Sequence, residues 1–139
     1  MKFTRLMLGI SVAALLLGTA APAWGQSTVD ECQARLELIQ SDLDAILSAG
    51  GIGGNNPQQT YASLSSKLEA ASTKLVQRKY TDALRKLQDF RIAVITMRDS
   101  AKPKLSGPDA GLLLDGADPS RGPTDEGVNG AIVCIALLP

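Results

Sequence analysis

Residues 81–101 read Thr-Asp-Ala-Leu-Arg-Lys-Leu-Gln-Asp-Phe-Arg-Ile-Ala-Val-Ile-Thr-Met-Arg-Asp-Ser-Ala. Ala83, Leu87, Phe90, Val94, Met97 and Ala101 recur at intervals of four and three, the period of one helix face. Leu84, Ile92 and Ile95 add apolar surface away from that stripe. A helix apolar on more than one side is predicted to be central, packed by neighbours on both. Thr81 is placed to cap its start, and Pro103 stops it.

Working outward, the segment before it is a second helix. Pro57 opens it, where a missing N–H costs nothing, and Tyr61, Leu64, Leu68, Ala71 and Leu75 form its stripe. Gly50 to Asn56 is a glycine-rich loop without the preceding strand or the G-K-[ST] ending of a phosphate cradle, so it reads as a helix connection. Before the loop, Thr28 and Glu31 have the spacing of a capping box, followed by Val29, Cys32, Leu36, Ile39, Leu43 and Ile46 at helical period.

After Pro103, Ser106 and Asp109 form another cap, with Ala110, Leu113, Leu114 and Ala117 as a short helix. Pro119, Gly122 and Pro123 make a loop. Residues 130–138 are almost wholly apolar, and periodicity alone leaves helix or strand open. No partner strand is evident elsewhere, which favours a helix. The fold expected is all-α, a bundle of four to five short helices with a core of Leu36, Ile39, Leu43, Leu64, Leu68, Leu75, Leu87, Phe90, Val94, Leu113 and Leu114.

The first 25 residues read as a cleaved secretory signal peptide. Lys2 and Arg5 precede an apolar run from Leu6 to Leu17, and Ala23 and Gly25 are small residues at a plausible cleavage site. The run falls short of the roughly 20 apolar residues of a membrane span, so no stable membrane insertion is expected after cleavage. Residues 26–139 would then be one helical domain, periplasmic or extracellular. In that oxidising setting Cys32 and Cys134 are expected to form a disulfide. Free thiols or a bridge to another chain are the alternatives.

From Ser63 to Ala117 the pattern resembles the FIMAH domain, a small helical module of secreted bacterial proteins. The residues that carry it are Ser63-Leu64, Lys67-Leu68, Ala71 and Leu75, then Ala83, Leu87, Phe90 and Val94, then Leu105, Ala110, Leu113, Leu114 and Ala117. Arg78-Lys79 stands where a turn glycine would be expected, and Arg91 separates Phe90 from Ile92. The resemblance implies an extracellular, non-catalytic module and brings no ligand or catalytic residues.

The chain has 14 basic and 14 acidic residues, two cysteines and no histidine, which removes the commonest general base and zinc ligand. No G-x-S-x-G or S-x-x-K pattern supports nucleophilic chemistry. Asp42 and Asp44 point to different sides of their helix, and the acids of 115–126 lack the alternating ligands of a calcium loop. No enzyme, cofactor or metal is expected. Charge is uneven: residues 67–104 hold ten basic and four acidic side chains, whereas 30–66 and 105–139 each sum to −4.

The leading expectation is an exported, non-enzymatic structural or protein-interaction module, with the exposed part of residues 128–138 as its contact: Val128, Ile132, Ile135 and Leu138. The alternative is binding of an anionic polymer, nucleic acid or acidic glycan, through Lys74, Arg78, Lys79, Arg85, Lys86, Arg91, Arg98 and Lys102. The helix-spaced pairs Arg78–Asp82, Asp82–Lys86 and Arg85–Asp89 are expected to neutralise part of that patch.

Overall fold

The Thr28–Glu31 spacing closes as a capping box: the Glu31 N–H donates to Thr28 Oγ1 at 3.2 Å, and the Thr28 N–H donates to Glu31 Oε2 at 2.9 Å. From this cap runs α1, Val29–Ser48. A computed structural model describes residues 27–116 and 127–139. The expected leader, Ala117 and the Pro119–Pro123 loop lie outside the described residues.

Four further helices follow: α2 Pro57–Val76, α3 Tyr80–Asp99, α4 Gly107–Asp115 and α5 Gly127–Ala136. Pro57 opens α2 behind the Asn56 cap, and Ser106 caps α4 by accepting the Asp109 N–H at 3.1 Å. α3 departs from expectation at both ends. It begins at Tyr80 with Lys79 as an N-cap that makes no side-chain bond, so Thr81 lies inside the helix. It also ends at Asp99, leaving Ala101 exposed in the connection.

α2 and α3 form an antiparallel hairpin, and α1 lies antiparallel to α2 on its other side. α5 touches α1, α3 and α4, so the apolar C-terminal run is a helix and a central element of the bundle. α3 contacts α2, α4 and α5, as its broad apolar surface predicts, although Ile92 faces solvent at 59% exposure. All eleven residues expected in the core are buried there.

Two features clamp the bundle. Cys32 of α1 and Cys134 of α5 form a disulfide with a Cα–Cα distance of 5.5 Å, spanning 102 residues. At the far end, Ile52 and Leu105 make an antiparallel bridge between the α1–α2 and α3–α4 connections. Both side chains are buried, and the Gly53 N–H donates to the Lys104 carbonyl at 2.8 Å.

α1 and α2 end alike. Gly50 and Gly51 N–H groups donate back to Leu47 and Ile46, and Arg78 and Lys79 N–H groups donate back to Leu75 and Lys74. Each pair is a Schellman motif with a left-handed residue just past the helix. Arg78 therefore adopts, with φ +58°, the conformation usually given to glycine.

Candidate functional site

Four surfaces offer chemistry. The first is the outer side of α5. Val128 and Ile135, expected to contact a partner, are fully buried against the other helices and are unavailable to one. A ten-residue helix that touches three neighbours must turn one arc inward, and these residues lie on it with Ala131. Ile132 and Leu138 are half-buried. The exposed large apolar residues are Val133 and Leu137, one turn apart, at 54% and 44% exposure. At the start of this face Asn129 Nδ2 donates to Asp115 Oδ1 at 2.7 Å, tying α5 to the end of α4.

The second surface is basic. The eight cations expected to face an anionic polymer do not share one side. Arg98 lies toward α4: its neighbour Asp99 holds its guanidinium charged, with a smaller contribution from Asp115. Arg91, seven residues earlier, shares that flank. Met97 and Thr60 line one hollow between the hairpin helices, so the α2 positions seven and fourteen beyond Thr60, Lys67 and Lys74, run along the flank on that side. Lys86 lies on the α3 flank that carries Met97. Arg78 and Lys79 occupy the turn, Arg85 points outward, and Lys102 lies beyond α3.

Charge pairing also differs from expectation. Asp82 pairs with Arg85 at 3.9 Å, a weak contact between exposed groups, rather than with Arg78 or Lys86. Arg98 makes two hydrogen bonds to Asp99, at 2.7 and 3.1 Å, and these draw the Asp99 carboxyl below its ordinary range. Asp89 forms no ion pair with Arg85; the three-residue spacing to Asp82 takes that guanidinium instead.

The third surface, a polar seam between α1 and α2, was not anticipated. Gln33 and Ser72 exchange hydrogen bonds at 2.7 and 3.1 Å. Ser65 Oγ donates to Gln40 Oε1 at 3.0 Å, and Gln40 Nε2 donates to Tyr61 Oη at 3.2 Å. Tyr61 Oη in turn donates to Asp44 Oδ1 at 2.7 Å. That bond, then partial burial, then the Asp44 charge raise the Tyr61 pKa above its usual 10.0. A cleft of about 140 Å³ with Leu36 and Leu68 among its walls lies along this seam. Asp42, one α1 position from the core residue Leu43, is buried as well, at 1% exposure.

The fourth surface is a notch of about 610 Å³ where the two clamped connections meet the hairpin. One wall is polar: Asn55, Asn56, Gln59, Thr60 and Ser63. Opposite lie Met97, Lys102 and Lys104. The Lys104 stem runs over Gly54, where a Cβ would meet its carbons at 3.6–3.8 Å. Ser100 Oγ donates to the Lys102 carbonyl at 2.9 Å and steadies the lysine-bearing segment. Of the residues singled out in the sequence, this notch takes the end of the Gly50–Asn56 connection, Met97 and Lys102.

Among the described residues no group of three or more cysteine, aspartate or glutamate side chains is gathered to hold a metal ion, and no helix is long and apolar enough to cross a membrane. No family model, no curated protein and no solved structure matches this chain.

Proposed function

We propose that the chain is an exported, non-enzymatic interaction module that docks a protein partner on the outer side of α5. The observation that carries this reading is the composition of that helix. α5 has no charged residue; beyond Asn129, which Asp115 engages, its outer side presents the half-buried Ile132 and the exposed Val133 and Ala136, and exposed Leu137 follows directly after it. Exposed helix faces in water are ordinarily polar, and an apolar one is a surface that association covers. The disulfide supports export, as does the Lys2–Gly25 leader pattern. The absence of histidine and the FIMAH-like spacing of residues 63–117 support a non-catalytic role.

The test is a Val133→Lys/Leu137→Asp double variant of the disulfide-bonded protein. Affinity capture from exported-protein fractions should lose its specific partner, while the unfolding midpoint stays within about 0.5 kcal/mol of the parent, as for exposed positions. Undiminished capture by the variant would remove the reading.

A second reading, binding of an anionic polymer, is favoured by the excess of ten cations over four anions in residues 67–104. The shared flank of Lys67, Lys74 and Lys86 supports reading such a surface there rather than at Arg85, Arg91 and Arg98. Heparin binding across a salt series should therefore fall on reversing the three lysines and persist on reversing the three arginines. Equal effects from both sets would remove it.

A further inference from the structure

We propose that the outer side of α5 and the neighbouring flank of α3 form one groove for an acidic amphipathic helix. The inference rests on the α5 docking surface and names the chemistry of the partner it takes.

The packing of α3 places its side chains. α3 meets α2 along one flank and α5 along the other, because α2 and α5 do not themselves pack together. Met97 marks the α2 flank, where it borders the hollow shared with Thr60. Leu84, Arg91, Ile95 and Arg98 recur at intervals of seven, four and three, so they run along the opposite flank. Arg98 agrees with this placement: it feels the charge of Asp115, and Asp115 holds Asn129 at the start of α5. Arg91 lies seven residues back, about 10 Å along the axis, on the level of the later turns of α5.

The floor between these helices is apolar. Leu84 and Ile95 of α3 and Ile132 of α5 pack on the core yet stay half-exposed. Val133 and Leu137 continue the floor across α5, and exposed Ile92 borders Ile95 one turn away on α3. Three of the four large apolar side chains exposed among the described residues therefore lie on these two helices and their ends. The fourth, Val76, ends α2. Two helices side by side with a shared apolar edge are filled by a third helix packing ridges into the groove. α5 has ten residues, about 15 Å, so the occupant needs about three turns.

Charge then selects the rim of that occupant. Arg91 is exposed and forms no ion pair among the described residues. Arg85, on the line of Ile92, has only its weak 3.9 Å contact with Asp82. The carboxylates nearby are already engaged. Asp99 accepts both hydrogen bonds of Arg98, Asp115 accepts from Asn129, and Glu31 across α5 closes the capping box. An apolar strip beside unengaged guanidinium groups attracts a helix edged with carboxylates and repels one edged with lysines.

The test is an amide NMR titration of the disulfide-bonded protein with two synthetic helical peptides at near-physiological salt. Both carry the same leucine stripe, one with glutamates and the other with lysines on its polar sides. The glutamate peptide should give saturable shifts confined to residues 84–98 and 129–138, with an affinity at least about tenfold above the lysine peptide. Arg91→Glu should weaken it about tenfold, and Ile92→Ser should weaken it too, with the unfolding midpoint of each variant unchanged. Val133→Lys/Leu137→Asp should abolish binding of the glutamate peptide. Equal binding of the two peptides, or no binding of either, overturns the acidic assignment; if the double variant still loses its captured partner, the docking surface itself stands. Self-association in sedimentation that Val133→Lys/Leu137→Asp removes would make the occupant a second copy and overturn the proposal. Binding to anionic lipid vesicles through the same residues would overturn it as well.

Discussion

Arg78 stands at the end of α2 in the left-handed conformation that Gly50 takes at the end of α1, with φ of +58° against +75°. The same two backbone bonds follow in each case, so the two turns differ mainly in the residue that bears the strain. For a residue with a Cβ that conformation costs about 1–2 kcal/mol.

Replacing Arg78 with glycine should therefore stabilise the protein by about 1 kcal/mol in urea unfolding. The reverse experiment is Gly50→Ala. A Cβ at Gly50 would meet nothing within 4 Å, so its loss of about 1 kcal/mol would come from the backbone alone. A destabilising Arg78→Gly would mean that the arginine side chain, not the backbone, governs the turn.

Gly127 presents the opposite case, in which space is absent. A Cβ there would lie 2.6 Å from both the Asp115 nitrogen and the Leu114 carbonyl carbon, and φ is +57°. Backbone cannot yield as a flexible side chain can. Gly127→Ala should lower stability by about 3 kcal/mol or more, measured by the same unfolding curves.

Cleaving the Cys32–Cys134 bond frees a span of 102 residues. The chain-entropy account gives about 4–5 kcal/mol for a loop of about 100 residues. Reduction, or a Cys32→Ser/Cys134→Ser variant, should lower the unfolding free energy by up to that amount. An unfolding midpoint unchanged by reductant would contradict it.

The Tyr61–Asp44 hydrogen bond sets a pH response at the alkaline end. Tyr61 holds its proton more tightly folded than unfolded, so its contribution is fully present below about pH 10 and is lost as pH rises through the raised folded pKa. In a Tyr80→Phe background, phenolate absorbance should titrate with a midpoint above 10.0, and Asp44→Asn should lower that midpoint. An unchanged midpoint would show that Asp44 does not govern the proton.

Local signals in the sequence were readable where one residue acts on its near neighbours. The Thr28–Glu31 box, Pro57, the Ser106 cap and the Leu87–Phe90–Val94 stripe all form as their spacing requires. Thr81 does not cap α3 because the Schellman turn at Arg78 carries the chain directly into the helix at Tyr80. Val128 and Ile135 are buried rather than outward: a run apolar on all sides does not itself say which arc faces inward. That choice is made by α1, α3 and α4 together.

Long-range pairings left no trace to read. Gln33–Ser72 joins positions 39 apart, and Gln40–Ser65 joins positions 25 apart. Each residue alone is an ordinary polar surface residue. The notch is invisible for the same reason: Thr60 and Lys104 come to border one hollow only where Ile52 and Leu105 bridge two connections.

The place of α5 imposes an order of assembly. Every chain is made from its N-terminus, and α1 to α4 emerge before the helix that fills the space among three of them. Until α5 arrives, α1, α3 and α4 lack part of their cover, and Cys32 has no thiol to meet. The unfinished bundle therefore lacks both its cross-link and part of its core cover until that keystone is delivered.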